Sequence, residues 1–367
     1  MQIDRRLASH FDWSLFALAM GLALLGILTI HSATIDITKE PSGLFVLRQL
    51  YWLLIGLGAM VVCFTVDYHS IDRLTYLFYS GVLVLLLLVP FFGTVSGGSQ
   101  RWLNLGYFAL QPSELGKLVM VLVLAKKLQY DEFNEGYRLR SLWVSFLLAI
   151  PIFALIMLQP DLGTAGVFFL VFLSVILVGG LRIRSILRLA GVGIVLLPVG
   201  WQFLKPYQKI RFWAFLNPEL DPLGAGYHLI QSKIAIGSGG LLGKGYLLGT
   251  QNRLNFLPAQ HTDFVFSVIA EEWGFVGCVI LLGLYLTLIL LSLRVVMRAR
   301  DRLGALLAFG MTAILFWQVT INVAMVTGNL PVAGIPLPFL SYGGSSLVVT
   351  MMAVGLLINV SMRRFTF

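Results

Sequence analysis

The sequence predicts an all-α, polytopic membrane protein with about ten transmembrane helices. Hydrophobic residues fill 58% of its 367 positions and charged residues only 12%, which is too apolar for a water-soluble domain of this length. The apolar runs reach about twenty residues without alternation of period two, so they predict spanning helices rather than barrel strands. The first run, beginning at Trp13, lacks a small-residue cleavage site and is expected to remain as the first helix.

Ten segments have the length and hydropathy of a membrane span. They are residues 12–32, 48–66, 74–93, 112–128, 141–158, 164–180, 186–204, 264–294, 304–326 and 346–362. An even number of spans places both termini on one side, and Lys and Arg concentrate in cytoplasmic segments. Cytoplasmic termini put most of the 26 basic residues on the cytoplasmic side. We therefore expect a multi-pass protein of the inner membrane with both termini in the cytoplasm.

The connection between the seventh and eighth spans, from about residue 205 to 262, is far longer than a usual loop. Loops of more than about 15 residues are commonly functional or disordered. Its aromatic residues, which argue against disorder, are Trp213, Phe215, Tyr227, Tyr246 and Phe256. The apolar stretch at 229–236 fits a short amphipathic helix at the membrane interface. We predict one integral membrane domain over residues 1–367, with a large folded extracytoplasmic loop at 205–262.

Composition also excludes some functions. The net charge of +9 follows from the topology of a membrane protein, so it does not imply nucleic acid as a partner. Cys63 and Cys278 both lie in predicted spans and are interpreted as packing residues. The five histidines show no helical metal-site spacing, which argues against a zinc centre built by the protein.

Ionisable residues near the spans are the candidates for chemistry, because charges are costly in hydrocarbon. They cluster toward the predicted outer half of the membrane: Glu114, Lys117, Asp161, Asp263, Glu271 and Glu272. Each also has a structural interpretation. Glu114 and Lys117 have the spacing of a helical ion pair, and Asp161 and Asp263 stand where N-cap residues stand. Glu271 and Glu272 lie roughly 12 Å of helix rise beyond Asp263, too far for a two-carboxylate glycosidase pair.

A series of motifs across the chain resembles the SEDS family of shape, elongation, division and sporulation proteins. The motifs are RQ at 48–49, RWL at 101–103, QPSEL at 111–115 with Lys117, QPDLGT at 159–164, DPLGAGYH at 221–228, GSGGLLGKG at 237–245 with Gln251, LPAQHTDF at 257–264 and LPFLSYGGSS at 337–346. Their order and number make the resemblance highly specific. The stretches NFLP at 255–258 and IPLP at 335–338 are more similar to the elongation members than to the division members.

The resemblance implies a ten-helix peptidoglycan glycosyltransferase for cell-wall elongation and cell shape. Such an enzyme polymerises lipid II into glycan strands and works with a class B penicillin-binding protein, a transpeptidase, among other elongation-complex proteins. Asp263 matches the essential aspartate of the family, and a single carboxylate can act as general base on an acceptor hydroxyl. The implied reaction is an inverting transfer with polyprenyl pyrophosphate as the leaving group, at a site facing the periplasm.

The leaving diphosphate needs compensating cations or a metal ion. The cations available on the predicted outer face are Arg48, Arg101, Lys117, Lys209, Arg211 and Lys244. Trp102 is expected to stack on a sugar or gate the cavity, and Glu114 with Lys117 to orient the phosphates or hold a divalent ion, Mg or Mn.

Two other function classes remain open at this stage. A lipid II flippase or transporter would use a similar lipid-sized groove, but it predicts polar residues through both leaflets. The inner halves of these spans consist almost wholly of Leu, Val, Ile and Phe. A non-catalytic scaffold would explain docking of a partner, but it leaves the charged outer loop without a role.

Overall fold

The computed structural model describes residues 10–365 of the chain with some gaps. The gaps are residues 36–42, 97–98, 105, 107–108, 131–141, 221–223, 255, 258 and scattered positions between 183 and 203. The described helices are α1 (Trp13–Thr34), α2 (Gly43–Thr65), α3 (Tyr68–Arg73), α4 (Thr75–Phe92), α5 (Pro112–Leu128), α6 (Trp143–Leu158), α7 (Leu162–Val178), α8 (Pro206–Leu216), α9 (Ala225–Ser238), α10 (Thr250–Arg253), α11 (Val265–Arg298), α12 (Arg302–Val326) and α13 (Gly344–Met362).

The helical, multi-pass prediction agrees with this architecture. Within the described ranges, six helices are long and apolar enough to cross a membrane: α1, α2, α4, α11, α12 and α13. The shorter α5, α6 and α7 coincide with the fourth, fifth and sixth predicted spans. The seventh predicted span, residues 186–204, and the motif positions 221–223, 255 and 258 fall wholly or partly outside the described residues. The count of ten spans and the sidedness of the long loop therefore stay predictions.

A small antiparallel sheet was missed by the sequence analysis. Strands β1 (Gly93–Ser96), β2 (Ser99–Asn104) and β3 (Ala109–Leu110) pair in that order between α4 and α5. Gly93 ends α4 in extended backbone, which starts the first strand. The strands are too short for a recognisable alternating pattern, so only the structure shows that β2 approaches the start of α5.

The centre of the bundle is formed by α5, α12 and α13, which are mostly buried along their length. Small residues bring these helices close together, as is usual where helices pack in lipid. A Cβ at Gly310 of α12 would lie 2.2 Å from Cγ1 of Val121 on α5, so only glycine fits there. Cys63 and Cys278 are free and buried, which confirms their interpretation as packing residues.

The backbone of α11 is broken at Gly274, where φ is 65° and ψ is −163°. The glycine-rich loop at 239–245 forms backbone hydrogen bonds with the helix on both sides of this break. On the first half of the helix, Lys244 N donates to Glu271 O at 3.0 Å and Gly245 N donates to Glu272 O at 2.9 Å. On the second half, Phe275 N donates to Gly240 O at 2.9 Å. The loop thus satisfies backbone groups that would otherwise be unpaired within an apolar segment.

Substitution of Gly274 by Ala should lower the stability of the protein by about 3 kcal/mol or more, because of its positive φ and crowding. A Cβ there would lie 2.3 Å from the backbone nitrogen of Gly243. Gly283→Ala in the same helix is the matched control, since nothing lies within 4 Å of its Cβ position. That control should stay within about 1 kcal/mol of the wild type. Thermal unfolding in detergent measures the stability of both variants. Equal losses of stability would show that the positive φ and the crowding at Gly274 do not require glycine.

Candidate active site

Asp263 lies in the turn at 259–264 that leads into α11. Ala259 has a left-handed φ of 53°, and its carbonyl accepts hydrogen bonds from the backbone nitrogens of Thr262, at 3.1 Å, and Asp263, at 3.2 Å. Asn322 of α12 donates to the Asp263 carbonyl at 2.9 Å, and the Ser341 hydroxyl donates to the Thr262 carbonyl. The backbone of Asp263 is therefore fixed from α12 and from the segment that precedes α13.

The side chain of Asp263 is half-buried and lies beside Gly334. A Cβ at Gly334 would be 3.3 Å from Oδ2 of Asp263, so glycine leaves the space next to the carboxyl open. Burial raises the pKa of Asp263 above the ordinary aspartate value, and the negative charge of Asp161 adds to this. The charges of Arg101 and Arg211 act in the opposite direction, as does a hydrogen bond with Thr262. The carboxyl thus experiences the field of two guanidinium groups.

A cavity of about 260 Å³, here called the arginine cavity, is enclosed by β2, the start of α7, α8 and residues 330–333. The polar side chains among its walls are Ser99, Arg101, Asp161, Tyr207, Gln208 and Arg211. The Arg211 guanidinium lies 5.8 Å from the ring centroid of Tyr207, on the same helix. The Tyr207 hydroxyl donates to Pro160 O at 2.9 Å, which ties α8 to the start of α7. This cavity can accept an anionic group.

Asp161 holds Arg101 in this cavity. Its buried carboxylate caps α7 by accepting from Thr164 N at 3.1 Å, which confirms the interpretation as an N-cap. It also accepts from Gln111 Nε2 at 3.1 Å and forms an ion pair with Arg101 Nη1 at 3.4 Å. One side chain therefore serves both as a cap and as the support of a cationic side chain.

A second cavity of about 550 Å³, here called the aromatic cavity, borders the same turn. Its larger side chains are Arg48, Tyr51, Trp52, Trp102, His261 and Tyr342. Strand β2 contributes to both cavities, because alternate residues of a strand face opposite sides. Ser99 and Arg101 line the arginine cavity, whereas Trp102 lines the aromatic cavity.

The remaining predicted site residues line neither the arginine cavity nor the aromatic cavity. Lys209 is half-buried on α8, and Lys244 pairs with Glu271 at 2.7 Å in a cluster with Thr250. Glu114 and Lys117 form a fully buried pair at 2.7 Å, as the helical-pair interpretation predicts. Their direct contact with the substrate stays a prediction.

The same buried pair does not resemble a metal site. Lys117 places an ammonium against the Glu114 carboxylate, and one paired carboxylate is too few oxygen ligands for a divalent ion. Across the described ranges, no group of three or more His, Cys, Asp and Glu residues could hold a metal. A requirement for Mg or Mn stays a prediction.

Several residues of the two cavities were missed by the sequence analysis. Tyr207 and Gln208 precede Arg211 on one helix, and the i, i+4 spacing of Tyr207 and Arg211 was a usable signal. His261 and Tyr342 lie within the motifs quoted for the family resemblance, but sequence alone does not bring them together. In the structure Tyr342 N donates to His261 O at 2.8 Å.

Comparison with known proteins identifies relatives over nearly the whole chain. The model of the FtsW/RodA/SpoVE family, described as cell cycle protein, matches residues 12–365. Peptidoglycan glycosyltransferase MrdB of Escherichia coli is 41% identical over 360 residues, covering 97% of this chain and 94% of that protein. Peptidoglycan glycosyltransferase RodA of Treponema pallidum is 34% identical over 428 residues, covering 97% and 98%.

Solved structures show the same architecture. One chain comes from a structure described as the structural coordination of polymerization and crosslinking by a peptidoglycan synthase complex. It has a TM-score of 0.83 at 36% identity, with 97% of this chain and 99% of that chain covered. The crystal structure of the rod shape determining protein RodA of Thermus thermophilus has a TM-score of 0.73 at 32% identity, with 97% and 98% covered. These matches confirm the resemblance seen in the motifs: the chain belongs to the FtsW/RodA/SpoVE family of cell cycle proteins.

Proposed function

We propose that the chain is a peptidoglycan glycosyltransferase that polymerises lipid II, with Asp263 as the general base. Its relatives in Escherichia coli and Treponema pallidum carry the name of this activity, which favours it over a flippase. The observation that carries the proposal is the position of Asp263. Its carboxyl lies next to an open space at Gly334, in the field of Arg101 and Arg211. A base beside two cations suits a reaction that moves a proton and releases an anion.

Asp263 takes the proton of the acceptor hydroxyl as that oxygen attacks the anomeric carbon of the lipid-linked donor. A raised pKa makes the ionised carboxylate a stronger base than that of an exposed aspartate. The attack is a single displacement with inversion, so the enzyme needs one carboxylate and no covalent intermediate. Glu271 is less suited to this role, because its Oε1 already accepts hydrogen bonds from Lys244, Thr250 and Gln251 N.

Arg101 and Arg211 stabilise the polyprenyl pyrophosphate as it leaves. Negative charge grows on the bridging oxygen during the displacement, and cations fixed in advance lower the energy of that transition state. Arg101 is fixed by Asp161, and Arg211 of α8 lines the same cavity. A guanidinium can bind two phosphate oxygens at once, so the pair suits a diphosphate.

A lipid-linked substrate sets where this site must lie. Its phosphates stay at the level of the lipid headgroups while its tail stays in the membrane, so we place the Asp263 end of the bundle at the outer, periplasmic surface. Both termini are then cytoplasmic, in line with the distribution of Lys and Arg. A class B penicillin-binding protein is the proposed partner, supported by the match to a complex that couples polymerization to crosslinking.

Asp263→Asn should reduce lipid II polymerisation by about 10²-fold or more, because the amide cannot accept the proton. The assay uses the purified protein with its co-purified class B partner in detergent. Glu219→Gln, an exposed carboxylate change in the long loop, is the matched control and should retain activity. Unchanged thermal unfolding and partner binding of the Asn variant show that it is folded. Polymerisation at the wild-type rate by that variant would remove Asp263 from the mechanism.

The acid limb of the pH profile should depend on the charge of Arg211. The base acts when ionised, so kcat/KM should rise with pH through the raised pKa of Asp263. Arg211 favours the ionised carboxylate, so Arg211→Ala should move the acid limb to higher pH, and Arg211→Lys should leave it near the wild-type position. An acid limb that does not differ between the two variants would show that this carboxyl is not the titrating base.

A further inference from the structure

The aromatic cavity has a chemistry unlike that of the arginine cavity. Its volume of about 550 Å³ falls in the range of small-molecule binding sites. Tyr51, Trp52, Trp102 and Tyr342 provide ring faces together with hydroxyl and indole donors. Such a combination of flat apolar surface and hydrogen-bonding groups suits a sugar, which has apolar C–H faces and a rim of hydroxyls.

The two cavities also differ in the number of charged side chains that line them. Arg48 is the one charged side chain among the described walls of the aromatic cavity, and it is exposed. A diphosphate carries several negative charges and is poorly compensated by one exposed guanidinium. The arginine cavity has two guanidiniums, both of which act on Asp263. The leaving group is therefore better matched to the arginine cavity, and an uncharged ring to the aromatic cavity.

The wall of the aromatic cavity next to Asp263 is held in place before any substrate binds. The His261 ring lies 5.7 Å from that of Tyr342 and 5.4 Å from that of Phe45, and Phe45 also packs on Tyr342 at 5.3 Å. His261 and Thr262 line this cavity and lead directly to Asp263. The cavity therefore borders the turn that carries the base.

We propose that the aromatic cavity binds the saccharide that carries the attacking hydroxyl. This inference rests on the proposed function and assigns its two substrates to separate cavities. Inversion requires the nucleophile and the leaving group on opposite sides of the anomeric carbon, and β2 separates two cavities with the corresponding chemistry. The new bond joins the acceptor oxygen to the anomeric carbon, and its proton passes to Asp263. The bond from that carbon to the phosphate oxygen breaks, and the diphosphate keeps the electron pair.

Two substrate analogues separate the roles. A lipid II with its acceptor hydroxyl capped acts only as a donor, and a lipid II analogue with carbon in place of the anomeric phosphate oxygen acts only as an acceptor. The wild-type protein, with its co-purified class B partner, couples one to the other in a single transfer. The KM for each analogue is then measured in turn, with the other analogue saturating.

Tyr51→Ala should raise the KM for the acceptor-only analogue about tenfold and change the KM for the donor-only analogue less than about twofold. Tyr51 is 55% exposed, so the change leaves the bundle core intact. Tyr51→Phe keeps the ring and should recover most of the acceptor affinity. Arg211→Ala should show the reverse pattern, with the donor affected. Tyr130→Ala, an exposed tyrosine outside both cavities, is the control and should change neither KM.

The outcomes are distinguishable. A larger effect of Tyr51→Ala on the donor, or an equal effect on both analogues, would overturn the assignment of the aromatic cavity. Failure of the wild type to join the two analogues, with lipid II polymerisation also absent, would instead contradict the proposed function. If Tyr51→Ala lowers the melting temperature, Arg48→Ala at the exposed rim provides a second variant for the same comparison, and it should weaken the acceptor as well.

Discussion

The buried carboxylate of Asp161 is the interaction on which the site most depends. It accepts hydrogen bonds from Gln111 at the start of α5 and from Thr164 in α7, and it pairs with Arg101 of β2. A buried charge is costly unless it is paired and hydrogen-bonded, so these elements are constrained to meet at one point. The sheet is thereby anchored to the bundle, and the Arg101 guanidinium is fixed where its charge acts on Asp263.

The helix that follows Asp263, α11, is positioned by hydrogen bonds from the glycine-rich loop. Helix α11 is interrupted at Gly274, and the glycine-rich loop at 239–245 supplies the missing backbone partners. The same loop carries Lys244, whose ammonium pairs with the buried Glu271. The long connection at 205–262 is thus joined to the membrane bundle through main-chain hydrogen bonds as well as side chains, which explains why its glycines occur where close backbone approach is needed.

The sequence predicted what depends on local pattern. Apart from the seventh predicted span, which lies partly outside the described residues, the limits of the predicted spans agree with those of described helices to within about five residues, because hydropathy determines membrane spans. Asp263, Arg101 and Arg211 were found through motifs and charge; in the structure the two arginines line one cavity, and their charges act on Asp263. Tyr207, His261 and Tyr342 were not found, since their roles arise only when α8, the turn before α11 and the segment before α13 meet. Lys117 and Lys244 were selected as available cations, but each is occupied by a glutamate, a pairing that tertiary structure decides.

The alternation of side chains along strand β2 limits how the length of this segment can change in evolution. Insertion of one residue between Ser99 and Arg101 would reverse the sides that Arg101 and Trp102 face, placing an indole where a guanidinium is needed and the guanidinium where the indole was. Insertion of two residues there would preserve the alternation. Insertions in this short segment should therefore be tolerated in even steps and selected against in odd ones.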